Sequence, residues 1–166
     1  MAVLLCAALV LQVRAGDAAP SAAARQFELL KSLTGDWVTL GEDGQPTETI
    51  ASSFRVTSAG SAIVETIFPG SDHEMVTVYH LDGDELILTH YCTLGNQPRL
   101  RAIPGADEKK ITFKFLDATN LKNPRDQHMH DAEFTIVSPD RYQAVWTSQD
   151  GESCPESKMV FVRKNY

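Results

Sequence analysis

From Trp37 to Arg163 the apolar residues of this chain recur at every second position, in short runs separated by turn residues. That period suits a β-strand with one buried and one exposed face, and it does not suit a helix. Ile111, Phe113 and Phe115 alternate with Lys110, Thr112 and Lys114. Phe134 and Ile136 alternate with Glu133 and Thr135, and Tyr142, Ala144 and Trp146 alternate with Gln143 and Thr147. In the last run Met159, Phe161 and Arg163 share one face. Earlier runs centre on Thr39, on Ser52 to Val56, Ile63 to Phe68, Met75 to Tyr79, Leu86 to Tyr91, and Arg99 to Ile103. Asp82-Gly83 lies between two apolar runs and is a strong hairpin signal. Asp43-Gly44, Ala59-Gly60, Pro69-Gly70, Pro104-Gly105 and Pro139-Asp140 mark the other turns.

The pattern predicts an all-β protein of about ten short antiparallel strands. Crossover helices, which parallel strands require, are missing from it. Strands joined in this way expose two sheet edges unless the sheet closes on itself, so the expected architecture is a closed up-and-down barrel. A flattened sandwich is the alternative. One short helix precedes the strands, from about Ala22 to Ser32, with Ser21 as its N-cap and Phe27 and Leu30 on its apolar side. A helix of that length is not stable alone and must lie on the barrel. The 166 residues suit one domain. Without repeats, low-complexity tracts or linkers, residues 19–166 read as that domain.

Residues Ala2 to Val13 are apolar except for Gln12. This run is too short to span a bilayer and suits the core of a signal peptide, although no basic residue precedes it. Val13-Arg14-Ala15 and Gly16-Asp17-Ala18 each place small residues where a signal peptidase needs them. Residues 1–18 are therefore read as a signal peptide, with export to the periplasm or the extracellular space and no stable membrane insertion after cleavage. Cleavage leaves Cys92 and Cys154, and an oxidising compartment permits a bridge between them. A disulfide and two free thiols both stay open. The net charge of −7 speaks against nucleic-acid partners and anionic membrane surfaces.

The segment Leu30-Lys31-Ser32-Leu33-Thr34-Gly35-Asp36-Trp37 resembles the opening of lipocalin-like, or calycin-type, barrels, in which a short helix runs into Gly-x-Trp. The stretch from His73 to Arg99 is similar to bacterial exported proteins of this barrel type. The resemblance implies that Gly35 and Trp37 open the first strand, that Trp37 closes the barrel floor, and that Arg163 packs over it. It also implies a cup that binds small molecules, and it brings no catalytic residues. The strand count is similar to fatty-acid-binding proteins and haem-binding nitrobindins, but no haem-ligating motif matches.

In a barrel one face of each strand lines the interior. Phe113, Phe134 and Trp146 mark inward faces by the polarity of their neighbours. His128 and His130 share the Phe134 face if their strand is unbroken, and His90 is a possible third ligand for a metal. His90 shares its face with Met75, Thr77, Tyr79, Leu86, Leu88 and Cys92, but the opposite face, with Val76, Val78 and Ile87, is equally apolar. Glu65 shares a face with Ile63 and Ile67; turned inward, it needs a partner such as Arg99 or Arg101. Either arginine could instead hold a ligand carboxylate. His73 and His80 read as exposed turn residues. His90 with Cys92 is the only arrangement suggestive of a nucleophile and base, and the motifs of hydrolases, phosphate binders and metalloproteases are missing.

The primary expectation is a non-enzymatic barrel, needing no cofactor, that holds a small, largely apolar ligand, with or without an acidic group. Its candidate contacts are Glu65, Tyr79, His90, Arg99, Arg101, Phe113, His128, His130, Phe134 and Trp146. The alternative is a metal- or haem-dependent protein or enzyme using the cavity histidines. A third possibility is an interior filled by its own side chains. The oligomeric state stays open.

Overall fold

The computed structural model describes residues 19–165; the candidate signal peptide lies outside them. Ser21 caps α1 (Ala22–Lys31) by accepting a hydrogen bond from the Ala24 N–H at 3.2 Å. Ala23, Phe27 and Leu30 form its buried side. Ten strands follow: β1 (Gly35–Leu40), β2 (Pro46–Thr57), β3 (Ala62–Ile67), β4 (Met75–Asp82), β5 (Glu85–Tyr91), β6 (Gln97–Ile103), β7 (Lys110–Thr119), β8 (His128–Ser138), β9 (Arg141–Gln149) and β10 (Glu156–Arg163). Each pairs antiparallel with the next, and β1 pairs with β10. The sheet is thus a closed barrel, and the sandwich alternative is set aside.

Alternation converts directly into an interior. Val56, Ile63, Tyr79, Leu88, Leu100 and Phe115 are successive register partners from β2 to β7 and form one inward level. Phe54, Glu65, Thr77 and His90 form the next level along β2 to β5. On the other side Phe113, Ala132, Trp146 and Ser157 are successive partners, as are Ile111, Phe134, Ala144 and Met159. Aromatic rings fill much of this space. Tyr142 stacks on Phe161 at 4.6 Å and meets Trp37 edge-on at 4.8 Å.

One end of the barrel is sealed. α1 packs against β2, β4 and β5 there, and the fully buried Trp37 donates its indole N–H to the Leu33 carbonyl at 2.7 Å. The Arg163 guanidinium lies over the Trp37 ring, 4.3 Å from its centre. Arg163 also donates to the carbonyls of Thr34 (2.9 Å), Ser32 (3.2 Å) and Pro139 (2.8 Å) and to Asp140 Oδ1 (3.1 Å). Gly35 has a φ of +121°, and a Cβ there would stand 3.1 Å from Arg163 Nη1. The glycine of Gly-x-Trp is therefore required twice, by its dihedral and by the guanidinium beside it.

The register shifts at several places, and two of these bulges bear on candidate residues. Arg99 pairs with Asp117 while Leu100 pairs with Phe115, so Leu116 is extra and half-exposed. Met129 pairs with Ser148 while Asp131 pairs with Thr147, so His130 is extra. The strand carrying His128 and His130 is thus not the unbroken one that the inward reading of both required. His80 is a second departure: it lies within β4 and is half-buried, whereas His73 is exposed in a turn. Both Cys92 and Cys154 are free thiols.

Candidate functional site

The end opposite Trp37 is not filled. A cavity of about 190 Å³ opens there, lined by Ile67, Phe68, Met75, His90, Met129, Trp146, Ser157 and Met159. The strands explain its composition. Ile67 and Met75 are register partners at the mouth ends of β3 and β4, and Trp146 and Ser157 are partners on β9 and β10. Met129 reaches the wall because the bulge at His130 shifts the alternation of β8 by one residue.

His90 is the buried polar residue of this wall, beside the exposed Ser157. Its side chain is 2% exposed, its Nδ1 is 2.9 Å from Thr77 Oγ1, and its Nε2 is buried with no hydrogen-bond partner. The ring lies 5.1 Å from that of Trp146. Burial lowers the imidazole pKa to about 4, so the ring is neutral at neutral pH. Thr77 can give or take the shared proton, so Nε2 offers either an N–H or a lone pair.

On the same level of side chains, two strands away, stands Glu65, also inward and 3% exposed. Its Oε1 accepts from Ser52 Oγ at 2.8 Å and its Oε2 from the Tyr79 hydroxyl at 2.6 Å. The expected arginine partner is corrected here. Arg99 is on the outer surface, forked onto Asp117, and Arg101 is on the outer surface, 2.8 Å from Glu85. Burial raises the Glu65 carboxyl to about 7, against the downward pull of Tyr79 and Ser52. Burial and the Glu65 charge together push the Tyr79 hydroxyl well up; the Tyr142 hydroxyl is pushed up by the same two causes and has no hydrogen-bond partner.

His128 and His130 are engaged with each other. His128 Nδ1 lies 2.7 Å from the Asp126 carbonyl, which accepts only, so this nitrogen carries the proton. His128 Nε2 is then the acceptor for His130 Nδ1–H at 3.1 Å. Both rings pack on Phe115, each 4.7 Å from it. Neither histidine lines the cavity with His90, and among the described residues no three His, Cys, Asp or Glu side chains converge as a metal site.

Of the anticipated residues, the structure brings together His90 and Trp146 on the cavity wall, with Glu65 on the level of His90 and Tyr79 on the next level inward. Phe113 and Phe134 are core, in edge-on contact at 6.1 Å. Sequence reasoning did not single out Met75, Met129, Met159, Phe68 or Ser157 as lining. Parity with His90 pointed to Met75, while nothing in the sequence marks the bulge that turns Met129 inward.

The closed ten-strand antiparallel barrel is consistent with a calycin-like fold. Comparison with protein-family models and with curated proteins finds no match for this chain.

Proposed function

We propose that this chain is an exported, lipocalin-like barrel that holds one compact, largely apolar ligand in its mouth cavity, with His90 Nε2 as the polar anchor. The supporting observation is a buried imidazole nitrogen without a partner on a largely apolar wall. Leaving such an atom unsatisfied costs about 1–3 kcal/mol, which a ligand with one hydrogen-bonding group recovers. Apolar walls with methionine at three places adapt readily to such a guest.

Size narrows the ligand. A cavity of roughly 150 Å³ holds benzene, so this one suits a single ring with a small substituent and is too small for a long acyl chain or a haem. The wall carries no cationic side chain; a neutral ligand fits it better than a carboxylate. Phenol is a suitable probe because its hydroxyl both donates and accepts, serving either tautomer of His90. A native mass spectrum of freshly purified protein should show a carried molecule of one-ring size, or the empty protein should take up one phenol per chain. A His90→Phe variant should fold and lose phenol; a protein that carries nothing and ignores phenol would overturn the reading. Export is tested separately, by finding the secreted or periplasmic protein to begin at Ala19.

A further inference from the structure

Every methionine among the described residues stands on the wall of this one cavity. Met75, Met129 and Met159 come from β4, β8 and β10, three strands with no sequence relation to one another. Methionine in a barrel interior ordinarily fills gaps. Here Met129 and Met159 pack on the core and, with Met75, also border a void; Met75 Sδ lies 3.9 Å from Thr93 Oγ1, and the same wall carries Trp146, Ser157 and His90 with its unpartnered Nε2.

The donor set has a definite chemical preference. Thioether sulfur is soft and neutral, and with imidazole it selects monovalent copper over the harder divalent ions. No carboxylate or thiolate lines the cavity to balance a double charge. Thr77 Oγ1, 2.9 Å from His90 Nδ1, is placed as the outer partner that orients a ligating imidazole. With Nδ1–H donating to Thr77, Nε2 keeps its lone pair unpartnered. The Trp146 indole, 5.1 Å from the His90 ring, adds a π-surface that favours a desolvated cation.

We propose that the mouth cavity binds one soft monovalent cation, Cu(I) or Ag(I), through His90 Nε2 and the sulfur atoms of Met75, Met129 and Met159. This goes beyond the organic ligand of the preceding section. It shares that cavity but stands on the sulfur atoms and not on the volume, so either reading can fail without the other.

The test uses Ag(I), which needs no reductant, on the full chain carrying Cys6→Ser, Cys92→Ser and Cys154→Ser to remove competing thiols. One Ag(I) per chain is expected in the native mass spectrum. With ¹³C-methyl methionine, the methyl signals of Met75, Met129 and Met159 should shift on adding Ag(I) and that of Met1 should not. No bound Ag(I), or three unmoved methyl signals, would overturn the proposal without recourse to any cavity variant. Met75→Leu/Met129→Leu/Met159→Leu keeps the apolar volume. It should lose Ag(I) while retaining the near-UV circular dichroism of the parent; stoichiometric Ag(I) binding by this folded variant would also sink the assignment.

Discussion

At the sealed end of the barrel Arg163 directs its donors to three carbonyls and a carboxylate, and Trp37 gives its only donor to Leu33. At the open end His90 Nε2 and Asn96 Oδ1 are both buried without a partner, and a cavity stands beside His90; the third such atom, the Tyr142 hydroxyl, is in the core on a ring that meets Trp37. The same sheet builds both ends from the same alternation. What differs is whether helix α1 or solvent closes the last level of side chains. A completed polar network serves stability alone, whereas an incomplete one leaves binding energy available to something that arrives later.

The contrast can be broken most forcefully at the floor. Trp37→Ala removes a fully buried ring from under Arg163 and should cost about 3–5 kcal/mol of stability in urea denaturation. A loss under 1 kcal/mol on that scale would mean that the floor does not hold the barrel shut.

The two buried titrating groups give the next largest effect. Glu65 is raised from 4.5 to about 7, so the folded state keeps a proton that the unfolded chain releases, and stability falls as pH rises through that window. His90 is lowered from 6.5 to about 4, so its contribution is full above 6.5 and is lost as pH falls towards 4. Each displacement is worth about 3 kcal/mol, and the opposing slopes cancel where the windows overlap. In metal-free protein, Glu65→Gln should therefore unmask a rise in stability between pH 4.5 and 6.5 relative to the parent. His90→Gln should unmask a fall over the same interval. Parallel profiles for parent and variants would show that neither group changes its proton occupancy on folding.

Gly35→Ala tests the floor more finely. The positive φ and the 3.1 Å approach to Arg163 predict a loss of about 1–3 kcal/mol. At the mouth, Met159→Leu should change stability by under about 1.5 kcal/mol while altering phenol affinity, because this side chain borders a void rather than filling one. A larger stability loss at Met159 than at Gly35 would reverse the division of labour between the ends.

Much of this fold was legible in the residues. The period-two runs and the Asp82-Gly83 hairpin follow from local chemistry that the barrel leaves intact, and the packing of Arg163 over Trp37 is what the resemblance to lipocalin-like barrels implied. The site was legible only in part. His90 could be assigned to a face but not to the interior, because Val76 and Val78 make the opposite face of β4 apolar as well. Register with Ile63 and Tyr79 breaks that tie, and register is a property of neighbouring strands. Glu65 was found, yet its partners were not. Ser52 and Tyr79 reach it from adjacent strands, while Arg99 and Arg101 find carboxylates outside. The bulge at His130 interrupts the strand on which the H-x-H reading relied, although His128 is buried and both rings pack on Phe115. Void volume depends on every packed side chain at once, so no local pattern announces it.

The most direct measurement follows both ends in one spectrum: the ¹⁵N resonances of the His90 imidazole and the Trp37 indole during a phenol titration. His90 Nε2 should move and saturate at one phenol per chain, with the Trp37 N–H unmoved in its bond to Leu33. A fixed His90 signal, or a displaced Trp37 signal, would contradict the assignment of binding to the mouth and stability to the floor.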